Sequence, residues 1–451
     1  MRRALGRVPS HVWALLGSAA LVAVVLTLHA PTLAAYFYED DVQWLLGDGT
    51  WPIGLFSLEG RDHFFRPVVE VYFMAQSRLW GASPVAFHLA NVLLHALNAL
   101  LVFVLARRVL TQTAPACAAA LLFALHPRAV EMVAWVSGVT GVLMTSFVLT
   151  TALLHLRFLD TRRGVWRAGA AVSCACALLT HEAAVVLLVL LPLVGVTAPA
   201  PSDDRTTLEP LSRRLRRVAG DLLPYLLLAA AFAWASFTVN RHNYVVTEGR
   251  YRLGWHAAVN LARYLVSIYV GRQEALSLVL TALAVAAAGC FGRGALRLGA
   301  VWMVAALLPY SFFAWSNTNR YLYLPAIGFV LLTADLLQRL GRQRVRGRPA
   351  GIVVAAVLCA VLAGRSAHYA RKTARDVAAR SEPYREYVAQ SRALYPRPAR
   401  GAVLVVPEPG PGGPARVYVE PLLRVAYEDP TLSVRFGDDR QGVPQAASGE
   451  R

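Results

Sequence analysis

VAFHLANVLLHALNALLVFVLA, residues 85–106, decides the class of this chain. The run holds no Asp, Glu, Lys or Arg and is closed by Arg107-Arg108. At about 1.5 Å per residue, a helix of this length crosses the ~30 Å hydrocarbon core of a bilayer. Apolar runs recur on either side of it, near 12–29, 115–126, 132–156, 168–181, 183–198, 221–239, 275–291, 298–315, 321–337 and 350–364, several of them near the short limit for spanning. Composition agrees. Of 451 residues 56% are hydrophobic and 16% charged, where a soluble domain carries about a quarter charged residues; the mean hydropathy is +0.46. The expected fold is an all-α polytopic membrane protein with about eleven transmembrane helices.

A net charge of +18 would point to nucleic acid in a soluble protein. Here the arginines collect in short loops between apolar runs: Arg2, Arg3 and Arg7; Arg107 and Arg108; Arg157, Arg162, Arg163 and Arg167; Arg213, Arg214, Arg216 and Arg217; Arg339, Arg342, Arg344, Arg346 and Arg348. All fall on one side if the segment near 259–271 does not cross, and the positive-inside bias makes that side cytoplasmic. No nucleic-acid partner is expected. The N-terminus is then inside, the C-terminal tail outside, and the first run stays as an anchor because no small-residue cleavage site follows it. Cys117, Cys174, Cys176, Cys290 and Cys359 all lie in apolar runs, with no disulfide or zinc spacing among them.

Two stretches mix aromatic, aliphatic and charged residues. Residues 63–80 carry Arg66, Glu70 and Arg78, and residues 255–272 carry Trp255, His256, Asn260, Arg263 and Tyr264. Such mixtures suit helices lying in the membrane interface, where the two would roof an outer cavity; the other reading is a pair of weakly hydrophobic spans. Residues 366–394 read as a charged helix interrupted at Pro383. Residues 403–406, 417–427 and 432–436 then read as strand, helix and strand, with a loose tail from Gly437. The expected units are a transmembrane domain, 1–364, and a small helix plus α/β appendage outside the membrane, 365–451.

Ionisable groups at membrane depth cost about 2.5–3.5 kcal/mol each, so those retained are functional candidates. Asp40 and Asp41, in the triplet Glu39-Asp40-Asp41 just past the first run, head the set. His88, Asn91, His95 and Asn98 follow at spacings of three, four and three, one face of a helix. Outer turns add His126, Arg128 and Glu131, then His181-Glu182, then Asn317, Asn319 and Arg320 beside Tyr321 and Tyr323. Each has a plainer explanation. The stripe would tie neighbouring helices together, His126-Pro127 would end a helix, His181-Glu182 would cap one, Arg320 would snorkel to headgroups, and the acidic triplet would be a solvated loop. No HxxxH or comparable spacing points to a metal site.

The stretches YEDDVQWL (38–45), FFRPVVEVYFMAQSRLWGASPVAFHLANVLLHALNALLVF (64–103), LLFALHPRAVEMVAWVSGVTGVLMTSFVLTTALLHLRF (121–158), LLTHEAAVVLLVLLPL (178–193) and NRYLYLPAIGF (319–329) follow one another in an informative order. Together they resemble the GT-C superfamily of membrane glycosyltransferases, especially bacterial relatives of protein O-mannosyltransferases, over roughly residues 10–337. The resemblance implies a GT-C-like catalytic domain in which an acidic residue of the first outer loop acts on a sugar carried by a polyprenyl phosphate or diphosphate. By position that residue is Asp40, with Asp41 orienting it or holding an optional divalent ion such as Mg or Mn. Arg320 of RYLYLP is expected on the donor phosphate. Arg66, His181, Glu182, His126, His95, Asn91, Tyr321 and Tyr323 are the further substrate-binding candidates. Two departures stand out: relatives often carry Ser-Lys-Glu where this chain has Thr180-His181-Glu182, and many carry tetratricopeptide repeats where this chain has the short appendage.

The expected function is a glycosyltransferase of the bacterial inner (plasma) membrane, moving a sugar from a polyprenyl-linked donor to a hydroxyl of a protein, lipid or polysaccharide at the extracytoplasmic face. A single attacking base implies inversion, by analogy with glycosidases. A transporter or flippase of lipid-linked sugars, and a catalytically inactive envelope scaffold, are the rival readings.

Overall fold

The computed structural model describes residues 10–46, 64–110, 112–198, 211–241, 243–269, 271, 273–314, 319–344 and 348–437. The N-terminal arginines, His63, Arg272, Asn317 and Arg346 lie outside these. The apolar runs read from the sequence fall largely on helices: α1 (Ser10–His29), then, after the short α2 (Asp41–Leu46) and α3 (Pro67–Trp80), α4 (Pro84–Leu110) and α5 (Thr113–Ala124). The five-residue α6 (Val130–Ala134) leads to α7 (Val139–Thr161), α8 (Gly164–Thr180), α9 (Leu187–Thr197) and α10 (Leu211–Asn240). After α11 (Tyr244–Thr247) and α12 (His256–Ser267) come α13 (Ala275–Phe291), α14 (Ala295–Ser311), α15 (Tyr323–Gly341) and α16 (Ala350–Leu394). Among the described residues, six helices are long and apolar enough to cross a bilayer on their own, and five are shorter apolar helices. The protein is a multi-pass α-helical membrane protein.

Small residues and buried polar groups hold the bundle together, as expected where lipid removes any hydrophobic preference between helices. At the crossing of α14 and α15, Gly299 and Gly328 face each other; a Cβ on either would lie 2.4–2.5 Å from the other's carbonyl oxygen. The polar stripe of α4 is fully buried. Asn98 donates to the Val142 carbonyl (2.9 Å) and to the Tyr323 hydroxyl (3.1 Å), and accepts from Ser146 Oγ (2.7 Å), joining α4 to α7 and α15. Bonds of this kind are worth about 0.6 kcal/mol each in membranes.

Two local expectations change. The run at 132–156 does not begin as a membrane helix: α6 ends at Ala134, Trp135 is extended, and residues 136–138 form one 3-10 turn before α7 starts. Gly138 makes that turn possible, since a Cβ there would sit 2.1 Å from the Met132 carbonyl oxygen. Pro383, expected to interrupt a helix, lies inside the 45-residue α16. Packing on both sides of the proline overrides it. The Ser381 hydroxyl accepts from Tyr36 N–H (2.8 Å) and donates to the Ala378 carbonyl (2.7 Å), and the Tyr384 ring lies against Tyr38.

One continuous helix, α16, therefore carries the chain from its last apolar run to the C-terminal unit. There β1 (Val403–Val406), α17 (Arg416–Ala426) and β2 (Ser433–Phe436) form a βαβ unit whose strands pair in parallel, Val403 opposite Ser433 and Val406 opposite Phe436. Its apolar face is not separate from the bundle. Leu404, Val406, Val419, Leu422 and Leu423 share one buried cluster with Phe37, Tyr38 and Val42 of the acidic loop and with Phe73 and Phe87.

Candidate active site

The acidic loop is shaped by one left-handed residue. Glu39 has φ 51°, a conformation costing about 1–2 kcal/mol for a side chain with a Cβ, and such strain gathers at functional sites. The turn separates its two aspartates. Asp41 is fully buried. Its Oδ1 accepts from Ser137 N–H (2.7 Å) and Ser137 Oγ (2.6 Å), and its Oδ2 from Tyr38 N–H (3.1 Å). Burial pushes this carboxyl up to about 7, against the pull of the Ser137 and Tyr38 hydrogen bonds. Asp41 is thus a staple between the loop and the 136–138 turn. Asn91 holds the far side of that turn, donating to the Trp135 (3.0 Å) and Val136 (3.2 Å) carbonyls.

Asp40 is half-buried and lines a cavity of about 170 Å³. The same cavity is lined by Arg66, His181, Glu182, Arg320 and Tyr321, so side chains from four distant parts of the sequence meet there. Trp44, Phe64, Trp135, Ser137, Gly138, Tyr310 and Phe313 complete much of the wall. Arg66 is tied down: it grips Glu182 with two bonds, Nη2 to Oε1 (2.7 Å) and Nε to Oε2 (3.1 Å), and its Nη2 lies 3.3 Å from His181 Nε2. Arg320 is held differently. Its guanidinium stacks 5.0 Å over Trp135 and 5.7 Å over Tyr321, and among the described residues it makes no ion pair. Burial and the Asp40 charge push the Glu39 carboxyl up while Arg320 pulls it back, which puts Arg320 within electrostatic reach of the loop. A carboxylate and a guanidinium that makes no ion pair among the described residues therefore share one small chamber.

Other sequence candidates lie outside the lining of this cavity. His95 is buried between Tyr323 Oη (2.8 Å) and the Ala124 carbonyl (3.2 Å), contacts that join α4 to α15 and to the end of α5. Asn91 acts behind the turn rather than in the cavity. His126 is buried against Phe329 and accepts from Arg128 N–H (3.3 Å). Nor do the residues favour a divalent ion at Asp41, whose oxygens are taken; among the described residues no three His, Cys, Asp or Glu side chains are arranged to hold a metal. Sequence reading missed Ser137 and Gly138, although the SG pair inside an apolar run was a legible turn signal. It also missed Tyr418 of α17, whose hydroxyl donates to Asp40 Oδ1 at 2.8 Å.

Known proteins are similar to this chain in part of its sequence and in its fold. The family described as dolichyl-phosphate-mannose-protein mannosyltransferase matches residues 66–200. ArnT from Cupriavidus metallidurans, in the crystal structure bound to undecaprenyl phosphate, superposes with a TM-score of 0.55 at 15% identity, over 94% of this chain and 86% of that one. The chain shares the fold of ArnT. Two animal proteins resemble part of this chain. The protein O-mannosyl-transferase Tmtc1 of Drosophila melanogaster is 30% identical over 204 residues, 42% of this chain and 24% of its own length. The protein O-mannosyl-transferase TMTC2 of Mus musculus is 29% identical over 185 residues, 37% of this chain and 22% of its own. The chain thus spans under a quarter of these relatives' length. The family match takes in Arg66, His181 and Glu182 but not the acidic loop or Arg320.

Proposed function

We propose that this protein transfers a sugar from a polyprenyl-phosphate donor to an acceptor hydroxyl, with Asp40 as general base and Arg320 as the principal phosphate ligand. The observation that carries the reading is the shared cavity: a carboxylate and a guanidinium without an ion pair among the described residues line one space. The acceptor O–H attacks the anomeric carbon, the bond from that carbon to the phosphate oxygen breaks, its electron pair leaves with the phosphate, and Asp40 takes the proton. An ionised carboxylate within reach of the attacking hydroxyl suits the first event; a planar guanidinium suits the last. Attack from the face opposite the phosphate inverts the anomeric centre.

A second cavity supports the lipid-linked donor. About 230 Å³ in volume, it shares Phe64, His181, Glu182, Tyr310 and Phe313 with the first, and adds Val245, Val246 and Pro309. A polar chamber opening beside an apolar one matches a phosphate followed by an isoprenoid chain. The names of the similar proteins, which speak of dolichyl-phosphate mannose and of undecaprenyl phosphate, agree with this chemistry. In this reading the site faces the extracytoplasmic side of a bacterial inner membrane, the N-terminus is cytoplasmic, and the appendage is outside. The acceptor is a hydroxyl of a protein, lipid or polysaccharide.

The test is purified protein in proteoliposomes loaded with undecaprenyl-phosphate mannose labelled in the sugar, with envelope from a deletion strain as acceptor. Transfer of label to the envelope fraction with release of undecaprenyl phosphate is the expected result. Label that crosses the bilayer still attached to lipid would make the protein a transporter instead.

A further inference from the structure

The C-terminal unit reaches into the proposed chemistry through one side chain. α17 buries Val419, Leu422 and Leu423 in the cluster it shares with the acidic loop, which brings Tyr418 onto Asp40 (Oη to Oδ1, 2.8 Å). Among the described residues no other side chain hydrogen-bonds Asp40. Tyr418 is not part of the cavity wall, whereas Asp40 is, so the carboxylate separates the phenol from the substrate space. We propose that Tyr418 is a positioning residue: its hydrogen bond fixes one oxygen of Asp40 and leaves the other for the acceptor hydroxyl. The proposal rests on Asp40 being the base.

The unit is built to hold this contact rather than release it. Tyr387 Oη donates to the Pro407 carbonyl (2.8 Å), Tyr395 Oη to the Val405 carbonyl (2.9 Å) and Tyr427 Oη to the Tyr395 carbonyl (2.9 Å), tying β1 and the C-terminal end of α17 to α16 and the residue that follows it. With its apolar face sunk into the loop's own core, the unit is a buttress. A detachable lid would meet the bundle through a polar, loosely packed surface. Burial first, and then the bond to Asp40, push the Tyr418 phenol above its ordinary range, so it remains a protonated donor at any pH of assay.

The test uses the full chain in proteoliposomes with undecaprenyl-phosphate mannose. Tyr418→Phe keeps the ring and removes only the hydroxyl. It is expected to lower kcat roughly 10-fold, the effect of a base held less well in its reactive orientation, with donor KM and thermal unfolding little changed. Placed in an Asp40→Asn background, Tyr418→Phe should cause no further loss, because the two act as one unit. An inactive Asp40→Asn alongside a Tyr418→Phe with wild-type kcat overturns this inference and leaves the base assignment standing. Wild-type turnover by Asp40→Asn overturns the base assignment itself. A Tyr418→Phe protein whose unfolding temperature falls together with its turnover would show a structural contact only, and would also overturn the inference.

Discussion

Asp40→Asn is expected to reduce sugar transfer by a factor of about 10² to 10⁴, the usual contribution of a positioned general base. The carboxamide has nearly the same shape, and its oxygen can still accept the hydrogen bond from Tyr418. What it lacks is a lone pair basic enough to take the acceptor's proton. Donor binding should survive, because the cavity keeps Arg320, Tyr321 and the aromatic wall; the loss belongs in kcat, with donor KM little changed. The neighbouring aspartate is a built-in contrast. Asp41 is fully buried, with both oxygens accepting hydrogen bonds from Ser137 and Tyr38. Substitution there removes a staple, so its primary readout is the unfolding temperature rather than the rate.

Arg320→Ala should cost a further kind of activity, about 10² to 10³ in kcat/KM, the range seen when one preorganised charge is taken from a developing anion. Geometry singles out this arginine over its neighbour. Arg66 already neutralises Glu182 through two hydrogen bonds, so its charge is largely balanced before any ligand arrives. Arg320 rests on Trp135 and Tyr321, a support that fixes the guanidinium plane while leaving its N–H groups for an incoming phosphate. Arg320→Lys should recover part of the loss as a point charge, without the fork that grips two phosphate oxygens. Arg66→Ala should behave differently, lowering stability by leaving the Glu182 carboxylate without its partner. Measuring kcat, KM and the unfolding temperature for the three variants separates these outcomes.

The helices were legible in the sequence because the bilayer imposes them: a run such as 85–106 has no other way to satisfy its backbone in lipid. The acidic loop and Arg320 were legible for the related reason that charge is costly there, and the structure brings both to one cavity. The division of labour between Asp40 and Asp41 was not legible. It depends on a left-handed turn at Glu39, a conformation that glutamate does not advertise, and on a 3-10 turn at 136–138 hidden inside an apolar run. The stripe His88-Asn91-His95-Asn98 shows the reverse problem. Its spacing correctly gave one helix face, but a buried polar face serves helix packing and substrate binding with the same residues, and only the partners tell them apart. Pro383 follows a rule of local chemistry that packing against Tyr36 and Tyr38 outweighs. Tyr418 lies 378 positions from Asp40; no local pattern carries a contact of that range.

The most direct measurement is a cryo-EM map of the Asp40→Asn protein in lipid nanodiscs with undecaprenyl-phosphate mannose bound. Phosphate density against the Arg320 guanidinium, the sugar between it and residue 40, and the isoprenoid leaving past Val245 and Pro309 is the result expected here. Density for the phosphate among the arginines at the opposite ends of the helices, with the Asp40 cavity empty, would contradict the account.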